Sequence, residues 1–209
     1  MGYQLITPPS AEPISLAEAK LHLRVDIADD DLLIGMLITA ARQYAEQLTA
    51  RSFITQQWRC TMDAFPGRQN VAYVPWGVAF SIPDNAILLE KGPFQSIDSI
   101  QYVDMGGITQ TMPSSDYIAD LTGPLARITP KFGKIWPVTL PQIASVKVDF
   151  TCGYGTTGAS VPEGLRNWMK LRMAALYENR EELSVAQRVN VQELPYVDSL
   201  LDPYKVLRA

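Results

Sequence analysis

The hydrophobic period of this chain changes twice. Up to residue 52 the apolar residues recur at helical spacing; from Phe53 they fall in short β-branched and aromatic runs; after Pro162 helical spacing returns. A chain patterned in this way folds as helices interrupted by an inserted sheet. The expectation is therefore an α+β fold: a small helical layer of two N-terminal helices and one C-terminal helix, an inserted antiparallel β-sheet domain, and an extended C-terminal tail. The boundaries fall at 1–52, 53–158, 159–183 and 184–209.

Ser15 followed by Glu18 spells a capping box, and Leu16, Ala19 and Leu23 continue at helical spacing, so a short helix is expected over about 15–24. The acidic stretch VDIADDD ends it. Asp30 or a neighbour then caps a longer helix over about 31–50, whose acidic first turn complements the positive end of the helix dipole. The same aspartates lack the glycine and distal glutamate of a calcium loop, which favours capping. On a helical wheel Leu33, Ile34, Leu37, Ile38, Ala40, Ala41, Tyr44, Ala45 and Leu48 share an arc wider than one core requires. Either two elements of the same subunit sandwich this helix, or one flank meets a neighbouring subunit.

From Phe53 onward FITQQWRCTMDAF, AILLEKGPFQSIDSIQYVD, ITQTMP, DYIADL, LARITP and ASVKVDF read as antiparallel strands, with Asp104 to Gly107 as a hairpin turn. The proline-punctuated segment 66–85 reads as a long loop or edge hairpin, its Trp76 and Phe80 either folded back onto the sheet, the favoured reading, or exposed at a contact. After Pro162 a helix runs to about 183. Its apolar arc of Trp168, Leu165, Leu176, Met169 and Met173 includes Arg172, which either snorkels its stem along the core or forms a bidentate ion pair. The last segment, SVAQRVNVQELPYVDSLLDPYKVLRA, is too short for a core of its own. It docks on something or stays disordered, and deleting residues 190–209 is expected to leave a folded protein.

Charge and composition exclude several functions. With 209 residues, 47% of them hydrophobic, the chain is long enough for one or two domains with a real core. The formal charge is −4, and the acidic excess lies in residues 1–50, where Lys20, Arg24 and Arg42 face seven carboxylates. Nothing resembles the basic footprint of a sequence-reading nucleic-acid binder. No apolar run approaches the roughly 20 residues of a membrane span, and no signal peptide opens the chain, so a soluble, cytosolic protein is expected. Cys60 and Cys152 read as small buried hydrophobes. His22, the one histidine of the chain, reads as a satisfied structural residue, since no carboxylate or cysteine beside it in sequence points to a histidine-based triad or metal centre.

One motif points the other way. Gly153, Gly155 and Gly158 spell G-x-G-x-x-G between a strand and a helix, the pattern of a dinucleotide loop. Its context fails: Ala159, Ser160, Val161 and Pro162 separate the glycines from the helix start, and too little chain follows to build βαβ units. The glycines are expected to supply positive φ where the chain leaves the sheet. A nucleotide-binding enzyme using GYGTTG is the alternative function, and a single-strand nucleic-acid module on the β region is a third.

Five segments in order, PISLAEAKLHLRVD, DDDLLIGMLITAARQYAEQLTARSF, VDFTCGYG, VPEGLRNWMKLRMAALYENRE and LPYVDSLLDPYKV, resemble the head-tail connector (adaptor, or head-completion) proteins of tailed bacteriophages. The likeness is to the type with a β domain inserted between helices, and it spans nearly the whole chain. Gly153, Tyr154 and Gly155 match the end of that family's β insertion, and Leu194, Pro195, Leu200, Leu201, Pro203 and Tyr204 match its closing segment. The resemblance implies no catalysis, no cofactor and no metal. It implies a ring, usually twelvefold, extending the DNA channel between portal and tail in the virion neck, assembled in the host bacterial cytoplasm. The implied partners are further copies of the chain, the portal protein, a tail, stopper or tail-terminator protein, and passing double-stranded DNA, with no membrane. Leu194, Pro195, Tyr196, Leu200, Leu201, Pro203 and Tyr204 are then the expected docking residues, and Leu33, Leu37, Tyr44 and Arg172 the expected subunit seam. An acidic helical layer facing the lumen would let DNA slide.

Overall fold

A computed structural model describes residues 1–67, 85–179 and 195–206. In chain order its elements are β1 (Gly2–Thr7), α1 (Leu16–Leu23), α2 (Asp31–Thr49), β2 (Gln56–Met62), β3 (Ile87–Leu89), β4 (Phe94–Val103), β5 (Thr109–Thr111), β6 (Tyr117–Asp120), β7 (Ala126–Pro130), β8 (Val146–Cys152), α3 (Glu163–Glu178) and α4 (Pro195–Ser199). Single 3₁₀ turns lie at Ser114–Asp116, Gly158–Ser160 and Asp202–Tyr204. Two units result. One holds Met1–Pro8, Thr55–Gly153 and Val206–Ala209; the other holds Pro9–Ile54 and Tyr154–Lys205.

The β unit contains a five-stranded sheet of order β1-β2-β8-β4-β5 and a three-stranded sheet of order β3-β7-β6, with every pairing antiparallel. Alternation decides its faces. Val146, Val148, Phe150 and Cys152 of β8 point into the core with Cys60, Ile100 and Ile128, whereas Lys147, Asp149 and Thr151 point outward. On the outer face Arg59 opposes Asp149 in register and binds it twice, at 2.7 and 2.9 Å. The expected hairpin is present: Gly107 takes φ 78°, and the Asp104 carboxylate accepts the Gly106 and Ile108 amides. Both cysteines are free and buried, as read, and burial pushes the Cys60 thiol up to about 11.

Strand β1 was not foreseen. Its GYQLIT has one half-buried and five exposed positions, so it lacks the apolar alternation that marks a strand; pairing with β2 makes it one. Trp76 and Phe80 lie outside the described residues.

In the helical unit Ile34, Ile38, Ala41 and Ala45 of α2 pack with Leu165, Trp168, Met169 and Met173 of α3, together with Ile14, Phe53, Ile54 and Val161. The capping box forms: the Glu18 amide donates to Ser15 Oγ at 3.2 Å and the Ser15 amide to the Glu18 carboxylate at 3.0 Å. Asp30 does occupy the N-cap of α2, but its side chain makes no capping bond. Tyr177 donates to that carboxylate instead, at 2.5 Å, because α3 brings a phenol within reach. Asp31 pairs with Lys20 at 2.6 Å. His22 needs correcting too: Ala19 is the buried residue of α1, and His22 lies exposed on the same helix. Helix α3 is described to Glu178, and residues 180–183 lie outside the described residues.

Arg166 joins α3 to the start of the unit, donating to the Pro13 carbonyl at 3.1 Å, to Glu163 at 2.7 Å and to Glu18. The Ser15 amide, followed by the Ser15 hydroxyl and Arg166, holds the Glu18 carboxyl below its ordinary range. A carboxyl depressed by folding contributes stability above its unfolded pKa and loses it as pH falls through the folded value. Glu18→Gln is therefore expected to lower the melting temperature at neutral pH and to match the wild type progressively as pH falls below the carboxylate range. Melting curves of both proteins across that interval check it; a constant gap would refute it.

Candidate functional site

The glycine motif offers no cradle. Gly153 takes φ 125°, as read for a chain leaving a sheet, but neither Gly155 nor Gly158 has positive φ. Their role is close approach. A Cβ on Gly155 would stand 2.4 Å from Ser160 Oγ, and one on Gly158 would stand 2.4 Å from the Pro13 carbonyl oxygen. The space a phosphate would need against those two glycines is already occupied by the protein itself. The three residues also belong to different units, since the boundary falls between Gly153 and Tyr154. Helix α3 begins five residues after the last glycine.

Arg42 is the polar centre of the helical unit, and sequence reasoning gave it no role. It is 6% exposed. Its Nε donates to Glu12 at 2.7 Å and its Nη1 to Glu46 at 2.9 Å, while Glu46 also accepts the Phe53 amide at 2.8 Å. Burial works against the charge, but the two carboxylates outweigh it and hold the guanidinium pKa above its ordinary value. The available signal was the i, i+4 spacing of Arg42 and Glu46 on one helix. Nothing in the sequence placed Glu12 opposite them.

Of the expected seam residues, Tyr44 and Arg172 are brought together. The Arg172 guanidinium sits 5.2 Å from the Tyr44 ring, which in turn lies 5.9 Å from the Trp168 ring. Neither alternative offered for Arg172 describes it fully: the residue is exposed and stacks on an aromatic face, with no ion pair among the described residues. Leu33 and Leu37 are half-buried, and Leu37 packs against the core of its own unit.

The wheel missed a second apolar side of α2. Leu32 is 80% exposed and Met36 60% exposed, and both stand opposite the buried Ile34, Ile38, Ala41 and Ala45. With Asp31, Gly35, Thr39, Ala40 and Gln43 they line an open groove along the helix.

The expected docking segment closes on its own unit. Leu201 is fully buried in the helical core, and Val197, Leu200 and Tyr204 pack against that core. Arg51 Nε donates to the Tyr204 carbonyl at 2.6 Å, and Trp168 Nε1 donates to Asp198 at 2.9 Å. Gly164 gives the Tyr204 ring its place, since a Cβ there would meet the phenol oxygen at 3.3 Å. Pro203 is exposed; Leu194 and the side chains of Pro195 and Tyr196 lie outside what is described. Leu201 completes a core that the helices leave open, which argues against the expectation that residues 190–209 can be deleted with little loss of thermal stability. Among the described residues no helix is long and apolar enough to cross a membrane.

Residues 13–89 match the family described as phage gp6-like head-tail connector protein. The match bears out, over that segment, the resemblance carried by the sequence. No curated protein matches the chain. Among solved structures, similar chains occur in the neck of an empty gene transfer agent (GTA) particle computed with C6 symmetry, at 22% identity and a TM-score of 0.75. Others occur in the virion of the native GTA particle, at 21% and 0.74, and in the neck of the native particle computed with C12 symmetry, at 21% and 0.70. Each alignment covers 100% of this chain and 97% of the other. At these identities the likeness establishes a shared α+β fold along the whole length.

Two substitutions test this geometry by thermal melting. Leu201→Ala is expected to cost about 2–5 kcal/mol, because it opens a cavity in the helical core. Gly158→Ala is expected to cost about 1–3 kcal/mol, because the clash is with backbone. If neither lowers the melting temperature, the tail and the glycines are not packed as described.

Proposed function

We propose that this protein is a structural head-tail connector, forming a homo-oligomeric, twelvefold ring in the neck of a tailed-phage-like particle. The observation that carries this is the match of residues 13–89 to the connector family. The whole-length likeness to chains in GTA necks, one of them computed with C12 symmetry, supports the ring. The chain acts without catalysis or cofactor, in a virion neck assembled in the bacterial cytoplasm. Its ring extends the DNA channel from the portal protein to the tail or stopper protein, and DNA passes it without specific contacts.

The division of labour follows from exposure. The surface pair Tyr44 and Arg172 belongs to the seam between subunits, whereas Leu33 and Leu37 serve chiefly the helix's own packing. At the C-terminus Leu201 anchors the closing segment, leaving Pro203 and the stretch from Leu194 to Tyr196 to meet the portal. The acidic excess of residues 1–50 suits a wall that repels DNA. Within the expected segments 53–158 and 159–183, Thr55–Gly153 acts as the inserted β domain and α3 as the helix that completes the helical layer.

Light scattering and sedimentation of the purified protein, alone and mixed with portal protein, test this reading. The expected outcome is a large closed oligomer that co-sediments with portal. A persistent monomer that never co-sediments would sink it. Titrating nucleotides while following the melting temperature separates the alternative, since tight binding at the glycine loop raises it and a connector shows no shift.

A further inference from the structure

The loop between β7 and β8 carries an apolar tip that nothing in the described β unit covers. Lys131 to Lys134 form a tight turn, closed by the Lys134 amide donating to the Lys131 carbonyl at 2.9 Å, with Gly133 at φ 78°. This geometry pushes Phe132 fully outward, and Ile135 beside it is 87% exposed. The base of the loop is rigid. Trp136 stacks on Phe65 at 4.7 Å and donates to the Asn85 carbonyl, and the Leu140 amide donates to the Val103 carbonyl. With the turn and the loop base held, docking orders the Phe132 side chain and leaves the backbone as it is.

The α2 groove has the complementary character. Gly35 sits inside α2, in its second turn, where glycine is less favourable than alanine, yet a Cβ there would meet nothing among the described residues. A glycine with no internal reason on an exposed, apolar groove floor suits the close approach of another chain. Charge agrees. Residues 131–147 hold Lys131, Lys134 and Lys147 and no carboxylate, although Lys134 already lies 3.2 Å from Asp116; residues 26–31 hold Asp26, Asp29, Asp30 and Asp31 and no base, although Asp31 already lies 2.6 Å from Lys20.

We propose that the Lys131–Lys134 turn of one copy seats Phe132 in the Leu32, Gly35, Met36 groove on α2 of the next copy. Such a contact joins two different surfaces, so it propagates head to tail and closes only as a ring, where an isologous contact stops at a dimer. It rests on the ring reading above and specifies which surfaces meet.

Cross-linking of the full chain tests it. Lys134→Cys and Gln43→Cys place one thiol beside the turn and one on the groove wall, while the native Cys60 and Cys152 are buried and unreactive. A short bismaleimide is expected to give a ladder of covalent multimers beyond the dimer in the double variant, and no ladder in either single variant. Gly35→Gln fills the groove with a good helix former, and is expected to keep or raise the melting temperature while abolishing the ladder. Phe132→Asp, at a fully exposed position, is expected to leave melting unchanged and to raise the concentration needed for assembly about tenfold or more. Higher-order assembly without a ladder, or assembly indifferent to Gly35→Gln, overturns this contact and leaves the ring standing. Absence of any assembly overturns both.

Discussion

The helical unit depends on one buried charge. Arg42 lies between Glu12 and Glu46, and Glu46 spends its second oxygen on the Phe53 amide just after α2 ends. The chain entering α1, the middle of α2 and the exit toward the sheet are thus tied to a single guanidinium. A buried cation tolerates no loss of its partners, so these three points of the chain cannot drift apart without stranding it. The apolar core then fills the space around that frame, and Leu201 closes it from the far end of the sequence.

The same economy of space explains the glycines. A strand-to-helix passage with three glycines looks, as a string of letters, like a phosphate loop. In the structure one glycine provides a backbone angle and two provide room, for a serine side chain and for a proline carbonyl. Both uses need glycine, and only one matches the expectation of positive φ. Glycine spacing alone carries no information about which neighbour will fill the missing side chain's place.

Much of the fold was legible because it rests on local signals. The capping box at Ser15 and Glu18, the hairpin at Asp104 to Gly107 and the alternation of Val146, Val148 and Phe150 each act over a few residues and are written directly in the order of side chains. The surface was harder. The wheel of α2 identified the buried stripe but merged Tyr44 and Leu33 with it, and passed over Leu32 and Met36 on the opposite side. A helical wheel shows where apolar residues lie and says nothing about how wide the partner is, so it cannot tell a buried flank from an uncovered one. Strand β1 and the seating of the C-terminal segment were missed for a related reason: both gain their structure from a distant part of the chain.

By itself, the sequence determined the element types and their order, since period, caps and turn residues act locally. It also carried the connector resemblance that the match over residues 13–89 supports. Only the tertiary structure decided which residues those elements share. It set Glu12 against Arg42, put the Pro13 carbonyl against Gly158, buried Leu201, and left Phe132 and Met36 uncovered. Those are contacts between segments tens of residues apart, set by packing and by pairing of buried charge, and no local pattern encodes them.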